Sequence, residues 1–163
     1  MFPVRTFSTI ALILGCSALA LILGALAFEY WGRLPPCELC MWQRYPHVAA
    51  AIVGIGGFLL VRLRVLPESA AMRLVVATAI LIAVSGAIGA YHAGIEWHFW
   101  PGPRSCTGSA FRSSGALDLN APVVMCDHAA WRLFGISLAG YNAILSLAIA
   151  ATGLYLGARL RRP

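Results

Sequence analysis

Two cysteines in the stretch Pro36-Cys37-Glu38-Leu39-Cys40 stand three positions apart, a spacing at which two thiols can close and reopen a small disulfide ring. Exchange of this kind is performed by the thiolate, and a helix N-terminus or a neighbouring cation raises the thiolate share. Arg44 follows Cys40 by four residues, so on a helix the two share a face. Its guanidinium is a five-donor fork that can hold a ligand's carbonyl oxygen and stabilise charge developing on it. Cys37 and Cys40 are therefore candidate redox residues, and Arg44 a candidate ligand-holding residue. Spacing alone leaves open a structural disulfide or half of a zinc site. Cys106 and Cys126 are 20 residues apart, whereas a four-cysteine zinc site normally brings a second close pair, so no metal is expected. His98, Asp127 and His128 lack the spacing of a ligand set and read as part of a solvated loop.

The elements that position these residues follow from composition. The chain is 60% hydrophobic and only 11% charged, which excludes both an ordinary soluble domain and a disordered chain. Twelve basic against six acidic residues would ordinarily raise nucleic acid as a partner, but all twelve are arginines and none is clustered with stacking aromatics, so no nucleic acid partner is expected. Four uncharged runs, 7–28, 45–61, 74–91 and 135–158, have lengths that suit spanning helices. Pro46 is expected in the first turn of the second span, where its missing N–H does no harm. The predicted fold is an all-α membrane protein, one domain over 1–163, built as a four-transmembrane-helix bundle in the lipid bilayer.

Orientation follows from the arginines, which are retained on the cytoplasmic side of spans. The two termini and the link between spans two and three carry seven arginines against Glu68 alone. The loops 29–44 and 92–134 carry five arginines against five carboxylates. Both termini are thus expected in the cytoplasm and both cysteine-bearing loops outside. An outside compartment is oxidising, so Cys37, Cys40, Cys106 and Cys126 read as disulfide-forming pairs in one of three connectivities. Cys16, inside the first span, is expected to be a buried inert thiol. Gly54, Gly56, Gly57, Ser85, Gly86, Gly89 and Gly140 are expected to let helices approach closely.

The run from Pro36 to Arg44, the Tyr91-His92-Ala93-Gly94 segment closing span three, and the outside pair Cys106 and Cys126 together resemble the disulfide bond formation protein DsbB family. The Cys126-Asp127 and Trp131 to Gly135 segments are similar to its α-proteobacterial branch. The resemblance implies a thiol:quinone oxidoreductase of the bacterial inner membrane that reoxidises a DsbA-like periplasmic thiol oxidase. It further implies that Cys106 forms the mixed disulfide with that partner and that Cys126 is then freed to attack Cys37. Cys40 would face the quinone, ubiquinone or menaquinone drawn from the membrane pool, with Arg44 and His92 as the cofactor-binding residues. Two rival readings accompany it. One is a vitamin K epoxide reductase-like enzyme, whose Cys-X-X-Cys lies late in the bundle rather than at span two. The other is a small non-enzymatic subunit with stapled loops.

Overall fold

The computed structural model describes residues 5–107 and 124–161. The middle of the longer cysteine-bearing loop, Thr107 to Asn120, which its polar, Gly/Ser-containing sequence marks as a loop, lies outside the described residues except for Thr107. The first helix, α1, runs over Arg5–Tyr30. The second span is composite: α2 over Glu38–Ala51, a π-helical turn over Ile52–Gly56, and α3 over Gly57–Arg62. A short 3-10 turn at Glu68–Ala70 leads into α4, Ala71–Glu96. Two-residue strands β1, Arg132–Leu133, and β2, Ile136–Ser137, pair antiparallel before α5, Leu138–Arg161. Among the described residues, four helical segments are long and apolar enough to cross a membrane: Thr6–Tyr30, Glu38–Arg62, Glu68–Glu96 and Leu138–Arg161.

The second segment begins at Glu38, so Cys40 lies in its first turn and Cys37 at its N-cap. Pro46 consequently stands inside α2, not in the first turn as the sequence suggests. A spanning helix tolerates this where a neighbour satisfies the loosened backbone. The carbonyl that loses its helical donor to Pro46 is that of Trp42; at the next one along, Gln43, the Ser85 hydroxyl of α4 donates at 2.7 Å.

Small residues set the helix spacing. The core of Ile10, Ala11, Leu14, Ala18, Ala50, Ala51, Val75, Ala79, Ile82 and Ala150 is mostly alanine and valine-sized, while large apolar residues such as Ile13, Leu23, Ile52 and Ile144 cover the outside. That inversion fits lipid as solvent, because tails give no reason to bury leucine and close van der Waals contact drives packing. At the tightest crossing Gly54 of the π turn lies on α1, where a Cβ would meet the Ala11 carbonyl oxygen at 2.5 Å and Gly15 Cα at 2.8 Å. Gly56 differs from the expectation: a Cβ there would find nothing within 4 Å, so it contributes no close approach. A second small core at one end of the bundle consists of Cys37, Leu39, Ile95, Cys106 and Cys126, with Cys40 and Val124 against it.

Cys16 is exposed on the surface of the bundle rather than buried. An isolated lipid-facing thiol has no exchange partner, so Cys16→Ala is expected to keep more than about half of wild-type turnover in a dithiol oxidation assay, consistent with surface substitutions costing little.

Candidate functional site

Cys37 caps α2. Its backbone is extended, its sulfur accepts the Cys40 N–H at 3.2 Å, and its carbonyl accepts from Met41 N at 3.1 Å. Pro35 and Pro36 precede it, and proline disfavours helix in the residue before it, so winding starts only after the pair. The two sulfurs lie 2.7 Å apart as thiols, with Cys37 donating. That hydrogen bond first, and then burial, push the Cys37 thiol above the ordinary thiol range.

Cys106 and Cys126 form a disulfide. Both cysteines are buried, at 3% and 0% exposure, and the Cys126 N–H donates to the Cys106 carbonyl at 2.7 Å. The bridge sits directly on the first pair, since Cys37 Sγ, Cys126 Sγ and a His92 ring nitrogen lie within 4.8 Å of one another. These three atoms have the compactness of a metal-ligand set, but the Cys126 sulfur is committed to Cys106 and is no free thiolate.

His92 is 2% exposed on the last turns of α4. Its Nε2 is 3.6 Å from Cys37 Sγ and 3.8 Å from Glu96 Oε1, and its Nδ1 is 2.9 Å from Gln43 Nε2. Gly94, two residues on, leaves room for the Trp100 ring to fold back over the helix end, where Trp100 Nε1 donates to the Tyr91 carbonyl at 3.0 Å. Glu96, assigned by sequence to the outside loop, is instead buried as the last residue of α4, and Arg132 donates to its carbonyl at 3.1 Å.

A cavity of about 400 Å³ is bounded by α1, α2, α5 and the segment around Trp131. Its walls are apolar, from Leu21, Phe28, Pro35, Leu138 and Leu145 among others, while Cys40, Gln43, Arg44, His47, Tyr141 and Asn142 bring sulfur and polar groups. Arg44 is held beside it by an ion pair from Nη1 to Glu29 Oε2 of α1. The volume and the few convergent polar groups are those of a small-molecule site. An aromatic dicarbonyl head with an apolar tail fits this donor set, because Arg44 offers a charged fork and the remaining wall offers hydrocarbon. His92 is not among the residues lining the cavity; its Nε2 lies by Cys37, and its Nδ1 by Gln43, which does line it.

Sequence reasoning passed over the polar residues that join His92 and this cavity. Asn142 Nδ2 donates to Gln43 Oε1 at 2.8 Å and to the Ser85 carbonyl at 3.2 Å, and Ser146 Oγ donates to Asn142 Oδ1 at 2.9 Å. His47 sits between Ser85 Oγ at 2.7 Å and Ser146 Oγ at 3.2 Å. The available signal was polarity itself, since hydrogen-bonding side chains inside spans are retained only where they face the bundle interior or a cavity. Ser85 was read for its small size, and its hydroxyl proves the more important property.

A family model described as "Disulfide bond formation protein DsbB" matches residues 7–156. The chain belongs to the DsbB family. A curated DsbB relative, the disulfide bond formation protein B of Polaromonas sp. (strain JS666 / ATCC BAA-500), is 26% identical over 171 residues that cover 98% of this chain and 94% of the relative. No solved structure matches the chain. As a DsbB protein the chain is a multi-pass membrane oxidoreductase of disulfide bond formation, and its four cysteines outside α1 are gathered at one end of the bundle.

Proposed function

We propose that the chain is a thiol:quinone oxidoreductase that reoxidises a DsbA-like periplasmic thiol oxidase and passes the electrons to membrane quinone. The observation that carries this reading is the position of the Cys37 and Cys40 pair. One sulfur lies within 4.8 Å of Cys126 Sγ, and the other lines the apolar cavity beside Arg44. A dithiol pair so placed joins a disulfide that a soluble partner can attack to a site that a membrane molecule can enter.

The chemistry of each residue follows. A partner thiolate attacks Cys106, forming a mixed disulfide and releasing Cys126 as thiolate; the partner's second thiolate then resolves the mixed bond and frees Cys106. When Cys37 and Cys40 are bridged, the Cys126 thiolate attacks Cys37 and Cys40 leaves as thiolate. Attack by Cys106 on Cys126 restores the outer bridge and releases Cys37, so both electrons of the partner dithiol now reside on Cys37 and Cys40. Quinone, when bound, supplies the two-electron acceptor. Cys40 would face it from the cavity wall, Arg44 would hold it by a carbonyl oxygen, and the apolar lining would exclude water. Both termini lie in the cytoplasm and the cysteine end faces the periplasm, from the arginine distribution.

The deciding experiment is anaerobic oxidation of a reduced DsbA-type protein by the purified chain with and without added ubiquinone. Sustained turnover is expected only with quinone. Absence of dithiol oxidation under both conditions would return the cysteines to a stapling role.

A further inference from the structure

The proposed function requires Cys37 to depart as a thiolate from a buried place, yet its bond to Cys40 and its burial both favour the protonated form. Groups facing its sulfur are Cys40 on its own helix, His92 and Glu96 on α4, and the Cys106–Cys126 bridge. The Cys40 backbone N–H already donates to this sulfur at 3.2 Å, and of the side chains only the imidazole can add a neutral or cationic N–H. Whether it does depends on its tautomer, and a hydrogen-bond chain through the bundle determines that.

Gln43 is oriented by both ends of its amide. Its Nε2 donates to the Leu39 carbonyl at 3.1 Å, and its Oε1 accepts from Asn142 Nδ2 at 2.8 Å. A flipped amide would set oxygen against the Leu39 carbonyl and nitrogen against the Asn142 amide nitrogen, which is repulsive at both contacts. The Asn142 amide is itself oriented, because its nitrogen faces the Ser85 carbonyl at 3.2 Å while its oxygen accepts from Ser146 at 2.9 Å. Gln43 therefore turns an N–H toward His92 Nδ1, 2.9 Å away, and Nδ1 must accept. In a neutral imidazole the proton is then on Nε2, which has Cys37 Sγ at 3.6 Å; the ring also meets the Cys126 backbone, and Glu96 Oε1 at 3.8 Å is beyond hydrogen-bond length.

Resting on the proposed exchange reaction, we propose that Gln43 is a positioning residue that keeps the His92 proton on Nε2, and that this N–H stabilises the Cys37 thiolate each time exchange releases it. His92 thereby serves the cysteine junction rather than the cavity. Since Gln43 and Asn142 also line the cavity, the same amides that orient the imidazole are within reach of whatever occupies it.

The test needs neither quinone nor partner, so its failure is separable from failure of the proposed function. A Cys16→Ala, Cys40→Ser background with the Cys106–Cys126 bridge intact leaves Cys37 the one free thiol, and its ionisation is followed by thiolate absorbance. Charge-assisted hydrogen bonds are strong enough that His92→Leu is expected to raise the Cys37 midpoint by about one pH unit or more. His92→Gln, which presents an amide N–H near the Nε2 position, is expected to keep most of the wild-type midpoint. Imidazole nitrogen NMR of the otherwise wild-type chain is expected to show His92 protonated on Nε2 alone, and Gln43→Leu to mix the two tautomers. A proton on Nδ1 in the wild-type chain, an unmoved midpoint in His92→Leu, or a single unchanged tautomer in Gln43→Leu would overturn the proposal. The wild-type spectrum decides it even where a variant does not fold.

Discussion

Cys106→Ser will accept no electrons from a reduced DsbA-type dithiol, and Cys37→Ser will accept one equivalent and then stop. The asymmetry follows from the order in which the sulfurs meet. In the first variant the Cys106–Cys126 bridge does not form, so a partner thiolate has no outer disulfide to attack and the Cys37–Cys40 bridge is not reached through it. In the second the Cys106–Cys126 bridge is intact and oxidises one dithiol, but Cys126 then faces a serine oxygen, and oxygen forms no exchangeable bond with sulfur. Rapid-quench measurement of partner disulfide per mole of enzyme separates the two outcomes. Sustained quinone-dependent turnover in either variant would contradict a single electron path through both pairs. The distances make the prediction sharp, since Cys37 and Cys126 are already within 4.8 Å and transfer between the pairs needs no large loop motion.

Gly54→Val will separate the first two spans and remove activity through structure rather than chemistry. A Cβ at that position would stand 2.5 Å from the Ala11 carbonyl oxygen and 2.8 Å from Gly15 Cα, both backbone atoms with no rotamer to move aside. Overpacking costs about 1–3 kcal/mol where side chains can yield, and a backbone clash gives less room to do so. At about 2–4 °C per kcal/mol for a chain of this size, the thermal midpoint in detergent is expected to fall by at least about 5 °C. Gly56→Ala, two residues away, meets nothing within 4 Å and is the matched control, expected to unfold within about 2 °C of wild type, as surface changes usually do. Equal midpoints for the two variants would show that the α1 crossing does not depend on glycine. Because Cys40 and Arg44 ride on the helix that Gly54 anchors, lost activity should accompany the lost midpoint.

The limits of reading the chain are instructive at particular residues. Ser85, Gln43 and Asn142 are 42 and 57 residues apart in successive sequence steps, and nothing local says that they meet. In a soluble helix the apolar stripe identifies the buried face, but a spanning helix is apolar all round and its periodicity carries little of that information. Pro46 was misplaced for a related reason. Its helix-breaking tendency is local, while the Ser85 hydroxyl that accompanies its place inside α2 comes from α4.

What the sequence determined by itself is therefore what depends on composition and short spacing: four apolar helical segments, the Cys-X-X-Cys at a helix start, and Arg44 four residues on, beside the same cavity as Cys40. Tertiary structure alone decided that the Cys106–Cys126 bridge rests on Cys37, that His92 lies beside that sulfur and Gln43, and that Glu29 of α1 holds Arg44. Each of these is a meeting between elements far apart in the chain. Their geometry is set by which small residues let which helix faces close, a choice that no single segment of sequence contains.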